Sequence, residues 1–315
     1  MARKLPKVEL IDPATLMKIH SLEFRSKFVV EGFCQGFNRS PFHGFSVEFT
    51  EYRQYTPGDD LRYLDWKLYA RSDRDYIKRF EDETNLRCHL LLDCSRSMEF
   101  GSLSYTKLEY AKTFAATFAY FLLRQHDAVG LISFDDTVRE FLPARAKMGQ
   151  FRRLVAALHS AQNGGGTNYA NPLERIAKQN LKRGLFILIS DMLTPLDDLD
   201  QKLGFLRARG HEVILFQLLD PAEIDFTFDN AAIFEDLESK REVYVDPKTF
   251  AKQYKEAMAE HLASLEGICN ELGIAYHLFS TDDPLENALA AYLSDRSRML
   301  QTPMRVSHRS RRKAA

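Results

Sequence analysis

Five short apolar runs recur along the C-terminal two-thirds of the chain: "CHLLLDC", "AVGLISFDD", "GLFILISDM", "HEVILFQLLD" and "IAYHLFSTD". Each is apolar at both odd and even positions, and each runs into an aspartate. A strand exposed on one face alternates apolar with polar, so runs without alternation predict strands buried on both faces of a parallel sheet. Helical periods lie between them. "KLEYAKTFAATFAYFLLRQH" places Leu108, Ala111, Ala115, Phe118 and Leu122 on one face. "QFRRLVAALHSA", "NPLERIAKQNL", "LDDLDQKLGFLRAR" and "TFAKQYKEAMAEHLASLEGICNEL" carry the same period. Strands alternating with helices predict an α/β fold, an open, doubly wound and mostly parallel sheet with helices on both faces. "FDDTVREFLPA" departs from this rule, because Asp135-Asp136 reads as a tight turn into an antiparallel edge strand.

Outside these runs the pattern changes. Residues 221–246 read as a small β insertion with charged turns, whose role is not legible in the sequence. The first 84 residues form an N-terminal α+β extension. "DPATLMKIHSLEFRSKFV" predicts one helix with Asp12 as N-cap and Pro13 at its first position. Gly-rich and aromatic pieces follow. The expected organisation is therefore an extension over 1–84, the main domain over 85–300 and a tail over 301–315. The tail contains "RVSHRSRRKAA" and reads as basic, solvated and disordered.

Composition narrows the functional classes. The 315 residues include 43 Lys and Arg against 44 Asp and Glu, for a formal net charge of -1. That balance argues against bulk attraction to nucleic acid or to an anionic membrane. No segment reaches the roughly 18 consecutive apolar residues that a membrane helix needs, and the N-terminus lacks a signal-peptide core. The four cysteines, Cys34, Cys88, Cys94 and Cys269, show no metal-ligand spacing and read as reduced thiols. A soluble cytoplasmic protein is expected.

The chemistry gathers at the strand ends, where open α/β sheets bind ligands. "LLLDCSRSM" places Asp93, Ser95 and Ser97 where one strand stops, and "FILISDM" places Asp191 where another stops. Between them, "QNGGGTNYANPL" has a triple glycine that brings Thr167 toward a neighbouring strand end. Two carboxylates and three hydroxyls are hard oxygen donors. They suit Mg²⁺, with Mn²⁺ or Ca²⁺ as alternatives, rather than zinc. Each piece alone also reads as ordinary helix capping. It is their order, at the ends of three elements of one sheet, that favours a metal.

Asp93, Ser95, Ser97, Thr167 and Asp191 resemble the metal-ion-dependent adhesion site, or MIDAS, of von Willebrand factor A-type domains, over about residues 85–295. That resemblance implies a Rossmann-like sheet and a Mg²⁺ that bridges to a partner's carboxylate. Upstream, Arg53, Tyr55, Pro57, Gly58, Asp59, Asp60, Arg62, Asp65, Trp66, Ala70 and Arg71 resemble the hallmark string of the bacterial domain of unknown function fifty-eight family. Members of that family are commonly encoded beside MoxR-type AAA+ ATPases, which implies an adaptor or co-chaperone role. The residues of this string also have a structural reading. Pro57-Gly58 suits a type II turn, and the interleaved arginines and aspartates suit an ion-pair network anchored on Trp66. Such a network either docks the extension onto the sheet or offers a partner surface.

The expected function is a Mg²⁺-dependent protein-interaction module and not an enzyme. No phosphate-binding P-loop string and no G-x-S-x-G elbow occurs. The alternative is a metal-dependent phosphohydrolase. Haloacid-dehalogenase chemistry needs a second carboxylate two residues after the first, and that position is Ser95.

Overall fold

The computed structural model describes residues 10–38, 51–54, 76–79, 86–161, 170–178, 181–196, 199–228, 232–235, 242–245 and 247–301. The elements run in the order α1 (Pro13–Met17), α2 (Leu22–Asn38), β1 (Glu51–Gln54), β2 (Tyr76–Arg79), β3 (Arg87–Asp93), α3 (Lys107–Arg124), β4 (Ala128–Phe134) and β5 (Val138–Arg145). Next come α4 (Gly149–Ser160), α5 (Ala170–Lys178), β6 (Leu185–Ser190), α6 (Leu199–Ala208), β7 (Glu212–Leu219) and α7 (Pro221–Asp225). The series closes with β8 (Ala232–Glu235), β9 (Glu242–Val245), α8 (Pro247–Leu272), β10 (Ala275–Ser280) and α9 (Leu285–Gln301).

All five apolar runs are strands of one six-stranded sheet, ordered β10-β7-β6-β3-β4-β5. Every neighbouring pair is parallel except β4–β5, the antiparallel edge expected from the Asp135-Asp136 turn. Successive residues of each strand feed opposite faces. Leu90 and Leu92 enter a core with α1, α2, α3, α4 and α9, whereas Leu91 enters a second core with α5, α6 and α8. Burial on both faces removes the need for polar alternation, which is why these strands read as unbroken apolar runs.

The 221–246 segment contains the short helix α7 and the antiparallel pair β8–β9. Within the extension, the single helix expected over 12–29 is two. Asp12 caps α1 as its sequence predicts, accepting from the N–H groups of Ala14 and Thr15. A second cap follows at once. Ser21 Oγ accepts from the Phe24 N–H (3.2 Å) and the Ser21 carbonyl accepts from Arg25 (3.0 Å), so the chain restarts as α2. Leu16, Leu22, Val29, Val30 and Phe33 then join the same core as the sheet. This outer layer explains α3. Beyond the predicted face, Tyr110, Phe114, Ala116, Ala119 and Leu123 are also buried, because α3 has neighbours on nearly every side.

The topology positions the site. From β3 the chain moves to β4 and β5 on one side, then returns to β6 on the other. The connections leave the carboxyl ends of β3 and β6 in opposite directions. That opens the switch-point crevice in which sheets of this kind bind ligands. Among the described residues, no helix is long and apolar enough to cross a membrane.

Candidate metal centre

β3 and β6 pair in register from Cys88 with Leu185 to Leu92 with Ile189. Asp93 and Ser190 are the next residues at the two strand ends, and the Ser190 hydroxyl donates to Asp93 Oδ2 (2.7 Å). The other Asp93 oxygen, Oδ1, accepts from the Ser95 N–H (2.8 Å), which turns the chain sharply at the strand end. A 3₁₀ turn over Arg96–Glu99 follows, with Ser95 in extended conformation as its N-cap. The Ser95 side chain makes no capping hydrogen bond. Its Oγ meets Ser97 Oγ at 3.0 Å instead. The capping explanation for these serines therefore does not account for Ser95, and the two hydroxyls are held together beside a fully buried carboxylate.

Asp191 is also buried. Its Oδ1 accepts from the Leu193 N–H (3.3 Å), and its carbonyl accepts from Gln217 Nε2 (2.7 Å). Met192, next in line, adopts a left-handed φ of 52°, a conformation that costs energy for a side chain of this size. His261 of α8 holds that turn by donating Nε2 to the Met192 carbonyl (2.7 Å).

The sequence reading did not include the partner of Asp191 Oδ2. Lys107, the first residue of α3, places Nζ 2.8 Å from Asp191 Oδ2 and 2.7 Å from Glu223 Oε1, with its side chain wholly buried. Burial alone would lower the Lys107 ammonium. The attraction of Asp191 and Glu223 outweighs it and raises the group above its ordinary value, so the lysine stays charged. Burial pushes the Glu223 carboxyl up, against the pull of Lys107. Glu223 sits in a capping box with Asp220, whose Oδ2 accepts from the Ser102 N–H (2.8 Å). The signal for Lys107 was present in sequence: a lysine in the first turn of a helix opposes the helix dipole and needs a local reason. For Glu223 the D-P-A-E spacing signalled only a cap.

Asp93, Ser95 and Ser97 are thus held together at the end of β3, and Ser190 links them to the end of β6, where Asp191 follows. Thr167 lies outside the described residues, as do Tyr55, Asp59, Asp60, Arg62, Asp65, Trp66 and Arg71. Arg53 stands in β1, opposite Ile77 of β2. Among the described residues no group of three or more His, Cys, Asp or Glu side chains forms a metal cage. The donor set is two carboxylates with two hydroxyls, the hard-oxygen chemistry that Mg²⁺ accepts. Cys94 does not compete, since burial and the nearby Asp93 push its thiol up to about 12.

Comparison with known proteins finds relatives of the chain as a whole. A family model described as "Protein of unknown function DUF58" matches residues 51–264. The uncharacterised proteins Rv1480 of Mycobacterium tuberculosis and Mb1516 of Mycobacterium bovis are each 25% identical over 295 residues, covering 92% of this chain and 92% of their own. Among solved structures, the conserved hypothetical protein BatB of Bacteroides thetaiotaomicron aligns at 15% identity and a TM-score of 0.44, over 68% of this chain and 99% of its own. An aerotolerance-related membrane protein of Bacteroides fragilis aligns at 17% and 0.47, over 68% and 100%.

Proposed function

The chain belongs to the DUF58 family, and from that premise we propose that it is a Mg²⁺-dependent protein-interaction module with a von Willebrand factor A-type MIDAS. The observation that carries the reading is the clustering of the Asp93 carboxylate with the Ser95 and Ser97 hydroxyls at the end of β3, joined through Ser190 to the end of β6, where Asp191 is the next residue. Asp93 and the two hydroxyls would hold the ion, and Asp191 would sit beside it. When bound, the ion supplies a Lewis-acidic position for an acidic side chain of a partner. The residues of this chain do the rest. Ser190 fixes the Asp93 carboxylate, the 3₁₀ turn presents both hydroxyls to one point, and the low number of direct carboxylates favours an added anionic ligand. The partner is a MoxR-type AAA+ ATPase, for which this chain acts as adaptor or co-chaperone. That part of the reading rests on family resemblance.

The phosphohydrolase alternative fares worse. Position 95 carries a hydroxyl occupied with Ser97 rather than a general acid. Lys107 is buried between two carboxylates, not turned toward a substrate.

The test is affinity capture from native lysate in Mg²⁺ and in EDTA, with captured proteins identified by mass spectrometry. Ser95→Ala/Ser97→Ala serves as the control, because Asp191→Ala would also strand a buried lysine. The expected result is an AAA+ ATPase retained by the wild type in Mg²⁺ only and lost in the double variant, with circular dichroism unchanged. Retention of the same ATPase in every lane would refute the metal-bridged mode.

A further inference from the structure

We propose that Lys107 is a resident counter-cation of the centre, a positioning residue that acts through Asp191 to keep metal affinity low until a partner carboxylate arrives. The proposal rests on the metal-centre reading above and concerns how that centre is tuned. Its basis is geometric. Lys107 Nζ lies 2.8 Å from Asp191 Oδ2 and 2.7 Å from Glu223 Oε1, and the side chain is fully buried. The Phe100 ring, 5.9 Å from Nζ, closes another side. A buried ammonium is costly unless paired, so this one is committed to its two carboxylates. The Asp191 carboxylate is therefore paired with a cation inside the protein. A divalent ion arriving beside Asp93 meets an Asp191 already neutralised from behind by Lys107. Electrostatic attraction in such a buried place is strong, so cancelling one of two carboxylates weakens ion binding. It also leaves the bound ion short of negative charge, which an incoming carboxylate would supply.

The same pairing lets the strand ends hold together without an ion. Lys107 ties α3 to the end of β6 and to α7. Glu223 of α7 in turn accepts from the Asp220 N–H (2.9 Å), and its carbonyl accepts from the Tyr254 hydroxyl of α8 (2.9 Å). A lysine that served only as a strut would stabilise the fold and leave metal affinity alone. The two roles are separable by measurement.

The experiment is Mn²⁺ titration of the full chain, read by electron paramagnetic resonance of the free ion, with Mg²⁺ competition. The proteins are the wild type, Lys107→Met, Lys107→Met/Glu223→Gln and Asp93→Asn. Both Lys107 variants are expected to bind Mn²⁺ at least tenfold more tightly than the wild type. Their metal-free melting temperatures should fall, and Mg²⁺ should restore more of the loss than it adds to the wild type. A variant unfolded in EDTA that folds on adding Mg²⁺ is the extreme form of that result, whereas one still unfolded at saturating Mg²⁺ overturns the proposal. Equal affinity in the wild type and both Lys107 variants, with binding abolished in Asp93→Asn, also overturns it and leaves the metal centre standing. Absence of Mn²⁺ binding in all four proteins overturns both.

Discussion

Acidification should destabilise this fold through one buried imidazole, and the size of the effect follows from its surroundings. His89 lies in the centre of β3, 4% exposed, with its ring stacked on Phe186 at 5.2 Å. His211 meets the same Phe186 edge-on at 4.7 Å. Among the described residues His89 Nδ1 has no hydrogen-bond partner. Burial, with smaller contributions from His211 and Arg87, pulls His89 down to about 4 from an ordinary 6.5. Between those two values the unfolded chain binds a proton that the folded chain refuses, so stability rises with pH across that window. The contribution is whole above pH 6.5 and is lost as pH falls toward 4. At 1.36 kcal/mol per unit, the full loss is about 3 kcal/mol, and about 2 kcal/mol is lost between pH 7 and 4.5. Other groups act in the same range. Burial raises the Asp127 carboxyl to about 6, so its proton is held more tightly when folded and its contribution grows on acidification. A single stability-versus-pH curve therefore mixes opposing signs. Urea unfolding of the wild type and of His89→Phe at pH 7.0, 5.5 and 4.5 isolates the histidine, since the substitution keeps a ring against Phe186 and removes the titration. The wild type should lose about 2 kcal/mol more than the variant between the two ends. Parallel curves would show that His89 does not carry the buried neutral imidazole described here.

Three further outcomes concern the frame around the site. Gly130 sits opposite His89 in the neighbouring strand, and a Cβ there would meet the Leu142 carbonyl oxygen at 2.6 Å and the Ala144 nitrogen at 2.8 Å. Gly130→Ala should therefore cost about 1–3 kcal/mol in urea unfolding as β4 and β5 are forced apart. Gly149→Ala, with nothing within 4 Å of the new Cβ at the start of α4, should instead be neutral or gain about 0.5 kcal/mol. Thr106 and Glu109 form a reciprocal capping box at the start of α3. Thr106→Ala should lower stability by about 1 kcal/mol, and because α3 carries Lys107 it should also reduce amide-exchange protection at Lys107 and Leu108.

The fold was readable because its strands obey one rule: five runs apolar on both faces, each ending in aspartate, became five parallel strands, and the turn at Asp135-Asp136 marked the antiparallel edge. The break between α1 and α2 was less legible. Ser21 competes locally with a helical period that runs straight through it, and periodicity does not register a second cap. At the candidate site, Asp93, Ser95, Ser97 and Asp191 are legible as candidates because they stand at strand ends, a position visible in sequence. Lys107 and Glu223 were missed for the opposite reason. Each sits in the first turn of a helix, remote in sequence from the strand end it serves, and only the docking of α3 and α7 over the carboxyl edge brings them to Asp191.

That edge also explains why two of its aspartates, and not the others, make a candidate centre. Asp135 accepts from the Thr137 N–H (3.0 Å) and from Arg139 Nε (2.7 Å), so its charge is spent within its own turn. Asp220 caps α7 through the Ala222 N–H (2.9 Å) and anchors Ser102. Asp283 closes the turn after β10 by accepting from the Ser280 N–H (2.8 Å). Asp135 and Asp283 serve turns in their own segments, and Asp220 combines a helix cap with a tie to the Ser102 turn. Asp93 and Asp191 differ because they stand at the ends of β3 and β6, sequence-distant neighbours that flank the reversal in strand order. Besides the turn contacts each makes with its own backbone, Asp93 is tied to β6 by Ser190 and Asp191 to α3 by Lys107. An aspartate ends or closely follows every parallel strand, so it is strand order that sets Asp93 and Asp191 at neighbouring strand ends on either side of the switch point, and the hydroxyls of Ser95 and Ser97 add hard-oxygen donors beside Asp93.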